Sequence, residues 1–355
     1  MIEKIKEYVL KFQDKDGALE DPIFKIKRNR VAAEIGKSLF FIGEKEKGIK
    51  SINWVLSHQN QNGSWNEIHP DLNEESTVVT SICGRIMFEI YKKTKNKKYF
   101  KSAKKAAEYV LTKEFEPGFF IKSYYHYADV LNVNATVLSL ISNFNEKKFK
   151  DACKRIIFNI SRNQFKNGAL PYSSYEQRHP YEYHLHIPDI HYQATTLYFL
   201  LISKTTNKYL EITIKKAINW LKSTIEKKGF KWNMSFLTFS HKVTGAYGFA
   251  EFCFKKLGYN KEENYCLKKI KKLQNKNGSF SRYEKRINLI HLILGVCNEF
   301  CSDEKIGINY SFFTRTKRSK ERIKREIFDI FFKNNESLIY TSQIFDCLTE
   351  MKMNE

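Results

Sequence analysis

The sequence predicts an all-α chain: an (α/α)6 toroid of six helical hairpins carrying a C-terminal basic helical extension. Two observations predict it. The phrase Gln-x-x-x-Gly-x-(large apolar) occurs four times, at Gln13–Leu19, Gln59–Trp65, Gln164–Leu170 and Gln274–Phe280, with weaker copies at Phe115–Phe120 and Lys227–Trp232. The six glycines (Gly17, Gly63, Gly118, Gly168, Gly229 and Gly278) are 46, 55, 50, 61 and 49 residues apart. So regular a spacing marks a supersecondary unit that buries its apolar face only by stacking on a neighbour. The phrases also separate two kinds of segment, an amphipathic one before and a more apolar one after.

The units follow in order. The chain starts with a charged amphipathic helix that leads to Gly17. Residues 48–58 place apolar side chains at helical spacing before Gly63, and 74–91 are apolar on most faces after it, as a buried helix requires. Residues 217–221 before Gly229 and 266–273 before Gly278 repeat the outer-helix pattern. Asn-Gly and Asp-Gly are turn signals that end four of these outer helices, because glycine accepts positive φ at little steric cost. Six copies, and the contrast between outer and inner helices, favour closure into a ring over an open solenoid. The toroid is predicted to span 1–301, with 302–355 as a basic helical extension packed on or appended to it.

Gln59–Trp65 resembles the QW motif of squalene-type terpenoid cyclases, and the series is similar to the repeats of protein prenyltransferase β subunits. The resemblance covers roughly residues 5–300 and implies the toroid fold. The chemistry of those families does not follow. The Asp-x-Asp-Asp motif that protonates an alkene in such cyclases is missing, and Asp71-Leu-Asn73 and Asp189-Ile-His191 do not replace it. The prenyltransferase zinc set also lacks its ligands. Asp189-Ile-His191 is one residue short, and Asp151-Ala-Cys153 falls on an outer helix.

The 355 residues hold 61 Lys and Arg against 39 Asp and Glu, a formal charge of +22. Only 12 of the basic residues are arginine. Because arginine is the usual reader of phosphates and bases, the charge argues for an anionic small molecule or acidic oligosaccharide rather than nucleic acid. Residues 314–325 carry seven basic side chains and one acid, a patch suited to an anionic membrane surface. Seven scattered cysteines with no C-x-x-C pair read as reduced core thiols. With no signal-peptide pattern and no apolar run long enough to span a bilayer, the expectation is a soluble cytoplasmic protein.

The glycine turns should deliver polar side chains to the starts of the inner helices, where helix N-termini favour negative charge. The fourth unit is overlong there. Between Leu170 and Gln193 it crowds His179, His184, His186 and His191 together with five tyrosines, Arg178 and Asp189. Long loops inserted on a repeat scaffold are often functional. Helical spacing sets Asp189, Tyr192, Gln193 and Thr196 on one face, expected to point into a central cavity. The third unit adds His126, Tyr127, Asp129 and Asn134, the fifth His241, and the sixth Arg282, Tyr283, Arg286 and His291.

These residue types suit acid–base work on a uronate glycan. His191 or Tyr192 would act as base and His241 or Tyr127 as acid. Asp189 would orient the histidine, and Arg282 and Arg286 would hold a carboxylate. His126, Asp129, Arg178, His184, His186, Gln193, Tyr283 and His291 would line the substrate site. No cofactor is expected, although the spacing also allows a divalent metal at His184, His186 and His191. The favoured function is a lyase, epimerase or hydrolase on an acidic glycan. An isoprenoid enzyme requires an aromatic-walled cavity instead, and a non-catalytic scaffold requires that the candidates stay apart.

Overall fold

The computed structural model describes residues 1–69, 72–123, 129–172, 174, 190–228, 231–232, 241–282 and 337–350, with backbone only at 226–228, 231–232 and 241–242. Twelve helices lie among the described residues. The outer ones are α1 (Ile2–Leu10), α3 (Lys45–Ser57), α5 (Lys97–Leu111), α7 (Lys147–Asn163), α9 (Lys208–Lys228) and α11 (Asn260–Leu273). The inner ones are α2 (Asn29–Phe41), α4 (Thr77–Thr94), α6 (Leu131–Ile141), α8 (Ile190–Ile202), α10 (Gly245–Lys256) and α12 (Leu338–Glu350). Two-stranded hairpins, β1 (Asn66–His69) with β2 (Leu72–Glu75), β3 (Glu114–Glu116) with β4 (Phe119–Phe120), and β5 (Lys231–Trp232) with β6 (His241–Lys242), follow three of the outer helices.

The inner helices pack in the cyclic order α2, α4, α6, α8, α10, α12 and back to α2. The ring is therefore closed, and the (α/α)6 toroid is the observed architecture. Sequence chemistry separates the two layers. In α7, Phe149, Ala152, Ile156, Ile157 and Ile160 are buried while its lysines face out. In α6 every residue except Asn132 is buried.

One set of contacts recurs around the ring. The Gln59 side chain donates to the Gly63 carbonyl at 2.9 Å and to the Ser102 carbonyl of the next outer helix at 3.0 Å. Gln164 repeats this with Gly168 and Thr213. Gln274 repeats it with Gly278 and the Met1 carbonyl, each at 3.2 Å, so the last turn grips the first outer helix. Gly63 (φ +93°) and Gly278 (φ +96°) need the left-handed region, and a Cβ on Gly278 would lie 2.0 Å from the Lys4 carbonyl oxygen. No other residue satisfies both constraints.

A second recurring contact corrects the domain boundary. The amide two residues after the turn glycine is held by the side chain of the fourth residue of an inner helix. Trp65 N donates to Thr80 at 2.9 Å, Phe120 N to Asn134 at 3.0 Å, Leu170 N to Gln193 at 2.6 Å and Phe280 N to Thr341 at 3.0 Å. Thr341 thus occupies in α12 the place of Thr80 in α4, although 61 residues rather than 15 separate it from its partner. The boundary at 301 put residues 338–350 in an extension, whereas they form the sixth inner wall. They pack against α2 and α10, with Ile344 and Cys347 against Gly248 of α10, and Leu338, Ile344, Phe345 and Cys347 are buried. The basic stretch 314–325 lies outside the described residues.

Cys83, Cys153, Cys253, Cys266 and Cys347 are buried free thiols. Among the described residues no helix is long and apolar enough to cross a membrane.

Candidate functional site

Because the fourth-residue contacts set the inner helices in register, side chains at equivalent positions form layers along the bore. Arg30 of α2, Asn132 of α6 and His191 of α8 are each the second residue of their helix and form the layer at the mouth. About one turn deeper come Glu34, Ser81, Thr195 and Ser342. Lys37, Arg85, Tyr198 and Asp346, each a ninth residue, form the next layer, with Glu89 and Glu350 one turn below them.

The deep layers are filled by an ion cluster. Lys37 Nζ lies 2.6 Å from Asp346 Oδ1 and also contacts Glu350. Arg85 is 2.5 Å from Glu89, 3.7 Å from Asp346 and 3.6 Å from Glu350. The Tyr198 hydroxyl donates to Asp346 at 3.1 Å and is 3.3 Å from Glu350. These contacts join α4 and α8 to α12, helices that are not neighbours in the ring, so they cross the bore. Burial by itself would lower the pKa of Lys37, but Asp346, Glu350 and Glu89 outweigh it and hold the ammonium above its ordinary value. Burial pushes Glu350 up, yet Lys37 and Arg85 hold it below the usual carboxylate range. Burial raises Glu89, with Glu350 and Asp346 adding to it. Three carboxylates facing two cations thus give one of them reason to keep a proton. The sequence reading expected an open central cavity and missed this cluster. Its signal is a charge every third or fourth residue on otherwise apolar inner helices: Glu34 and Lys37, Arg85 and Glu89, Asp346 and Glu350.

The mouth is different. Arg30 Nε is 2.7 Å from Glu34, whose other oxygen accepts from Ser342 at 2.6 Å. Asn132 Oδ1 and His191 Nδ1 are buried with no hydrogen-bond partner. Such atoms call for a water or a ligand. Burial lowers the pKa of His191, and the charges of Arg30 and Arg282 lower it further, to about 3. The imidazole is therefore neutral at pH 7. Its ring lies 4.9 Å from that of Tyr192, which is 4.5 Å from Tyr172.

The rim is built from the residue four places after each turn glycine: Asp21, Glu67, Lys122, Tyr172 and Arg282. Backbone bonds fix it to the inner-helix starts, from Thr77 N to Lys122 O at 2.8 Å, Leu131 N to Tyr172 O at 2.9 Å and Thr244 N to Arg282 O at 3.1 Å. Lys122 pairs with Glu67 at 3.2 Å. Burial raises the Glu67 carboxyl, but Lys122 and His69 outweigh it and hold it well below the usual range.

His191, Tyr192 and Arg282 of the predicted set therefore come together, with Arg30, which sequence reasoning missed because α2 follows a first turn with no other distinctive chemistry. Two residues have different work. Gln193 does not serve the cavity, because its side chain accepts from Leu170 N and donates to the Ala217 carbonyl at 3.1 Å, tying α8 to its turn and to α9. Asp129 accepts from Asn134 at 2.6 Å and from Asn159 at 3.0 Å. Burial raises its carboxyl, which those amides only partly offset, and it anchors α6 to α7. His241 pairs through its backbone with Trp232 in the β5–β6 hairpin. Asp189, Tyr127, His126, Arg178, His184, His186, Tyr283, Arg286 and His291 lie outside the described residues. For the alternative metal site, the field of Arg30 and Arg282 at His191 opposes a divalent cation.

No protein-family profile matches the chain, and no curated protein matches it in sequence. Solved structures do resemble it in fold. An unsaturated glucuronyl hydrolase specific for heparin is 13% identical, with 91% of this chain and 96% of that chain covered and a TM-score of 0.62. Cellobiose 2-epimerase from Bacillus thermoamylovorans is 10% identical, covering 79% and 90%, at 0.61. A type II terpene cyclase from Scytonema, solved with geranylgeranyl dihydroxybenzoate, is 14% identical, covering 99% and 96%, at 0.57. At these identities the likeness establishes the fold that the glycine phrases and the closed helix ring already define: this chain has the (α/α)6 toroid shared by those proteins.

Proposed function

We propose that the chain processes an acidic glycan at the toroid mouth by acid–base chemistry centred on His191. The observation that carries this reading is the mouth layer itself: a neutral, half-buried His191 whose buried Nδ1 has no hydrogen-bond partner among the described residues, set in the field of Arg30 and Arg282. Burial is the larger cause of the depressed imidazole, and a uronate carboxylate held by the two arginines cancels the charge that adds to it, so substrate binding offsets that part of the depression. The proton next to the carboxylate then passes to the imidazole, and the arginines stabilise the enolate left behind. Returning a proton to the opposite face gives epimerisation, whereas losing the neighbouring oxygen substituent gives elimination. Tyr192, half-buried beside the histidine and backed by the buried ring of Tyr172, offers a ring face for a sugar to stack on. The glycan-acting toroids among the similar folds support the substrate class, and the ion cluster across the bore is a poor lining for an isoprenoid chain.

Incubation with uronate oligosaccharides, followed for ultraviolet absorbance of unsaturated products and for solvent deuterium entering the sugar, tests the reading. Activity should fall by roughly 10²–10⁴-fold in His191→Ala. Turnover unchanged in that variant, or neither unsaturated product nor deuterium exchange from any uronate tried, sinks the proposal.

A further inference from the structure

We propose that the outer seam between α7 and α9 is a docking surface for an anionic lipid bilayer. Parallel outer helices meet at equivalent places around the toroid, and four of the other five seams are closed by polar pairs. Lys6 meets Glu44 at 3.2 Å, Asn53 meets Lys98 at 2.9 Å, Glu108 meets Lys148 at 3.1 Å and Lys222 meets Glu262 at 3.3 Å. The α7–α9 seam is held underneath by Ser161 and Thr213, 2.9 Å apart, and by Gln164 donating to the Thr213 carbonyl. Aligning Gln164 with Gln59 puts Phe158 where Asn53 stands, and aligning the carbonyl acceptors Thr213 and Ser102 puts Tyr209 where Lys98 stands. Here the polar pair is replaced by apolar side chains facing solvent. Phe158 is 64% exposed, Tyr209 67% and Ile212 44%. Phe115, 58% exposed, extends the patch towards the mouth, because Glu114 beside it is clamped to Arg155 of α7 at 2.6 Å.

These are four of the large apolar side chains that stand out of the surface, and they share one face. An apolar patch of this kind marks an interaction site. Its surroundings identify the occupant. Helix α7 carries six basic residues against one acid, and α9 six against two. Lys154, Arg162, Lys166, Lys208, Lys215 and Lys216 are exposed around the aromatic residues. The surface is the outside of a ring of helices, so it presents side chains outward. Aromatic and aliphatic residues entering the interface, ringed by long basic side chains at headgroup level, fit an anionic leaflet. This surface is made of residues other than the basic stretch 314–325 and does not depend on the chemistry at His191.

Co-sedimentation of the full chain with vesicles tests it, comparing phosphatidylcholine alone with phosphatidylcholine containing about one third phosphatidylglycerol. The chain should bind the anionic vesicles at least about tenfold more tightly. The double variant Phe158→Glu, Ile212→Glu should lose roughly tenfold of that affinity while melting like the parent, since both side chains are already solvated. A second variant with the basic residues of 314–325 changed to glutamine should still show the loss when the two seam substitutions are added. Equal binding by the double variant and the parent overturns the proposal, as does no binding by the parent. A parent dimer that the double variant converts to monomer also overturns it, assigning the seam to a second copy of the chain.

Discussion

Lys37 Nζ and Asp346 Oδ1 stand 2.6 Å apart, joining the first inner helix of the toroid to the last. The pair is buried, with side-chain exposures of 0% and 3%, and it belongs to a cluster that also engages Arg85, Glu89, Glu350 and Tyr198. Removing one member strands charges that have already lost their water. Lys37→Met should therefore cost about 3–5 kcal/mol, read as a lower midpoint in urea unfolding. Lys37→Met combined with Asp346→Leu and Glu350→Met should recover part of that loss, because the stranded carboxylates go with the lysine.

The same cluster sets a pH window. The Glu350 carboxyl sits below its unfolded value, so its contribution is present above about pH 4.3 and is lost as pH falls through the folded value. Lys37 sits above its unfolded value, so its contribution is complete below about pH 10.4 and is lost as pH rises through the folded one. Unfolding followed across pH should show both losses in the parent and smaller ones in the triple variant, where the Glu350 and Lys37 contributions are gone.

His191 works in the opposite sense at acid pH. Its folded pKa of about 3 lies below the ordinary 6.5, so the unfolded chain binds the extra proton first. Stability should therefore decline as pH drops below about 6.5 and continue declining towards the folded value. Between pH 6.5 and 4.5, His191→Gln should lose roughly 1–3 kcal/mol less than the parent. Equal acid sensitivity would mean that the imidazole is not held in the arginine field.

Two glycines with similar backbone angles separate strain from crowding. Gly43 has φ +103° with nothing within 4 Å of an added Cβ, whereas Gly278 has φ +96° and the Lys4 carbonyl 2.0 Å away. Gly43→Ala should cost about 1 kcal/mol through backbone strain alone. Gly278→Ala should cost roughly 3 kcal/mol or more, because it also pushes α1 away from the closing turn. Thermal unfolding of the two variants measures the difference.

Gln193 carries a further expectation. Replacing it with Leu leaves the Leu170 amide buried without an acceptor, at a cost of about 1–3 kcal/mol. Tyr192→Phe, one residue away, should leave stability nearly unchanged. A Gln193→Leu protein as stable as the parent would reinstate a role for this side chain in the mouth.

Much of this molecule is legible in its sequence, for a physical reason. Turn glycines with positive φ, the glutamine that bridges each turn to the next outer helix, and the amphipathic period are all local, so they repeat visibly and specify the hairpins. The fourth-unit crowding likewise pointed to His191 and Tyr192, because it breaks a repeat. What tertiary structure alone decided is everything that depends on distant segments meeting. Residues 338–350 become the sixth wall because Thr341 takes the Phe280 amide, a contact the long insertion after Gly278 hides from any period. Gln193 and Asp129 look like site residues until their partners on neighbouring hairpins are seen. The ion cluster exists only because ring closure brings Lys37 and Arg85 against Asp346 and Glu350. Local chemistry shows in the order of residues; the electrostatics of a closed bore appear only when its two ends meet.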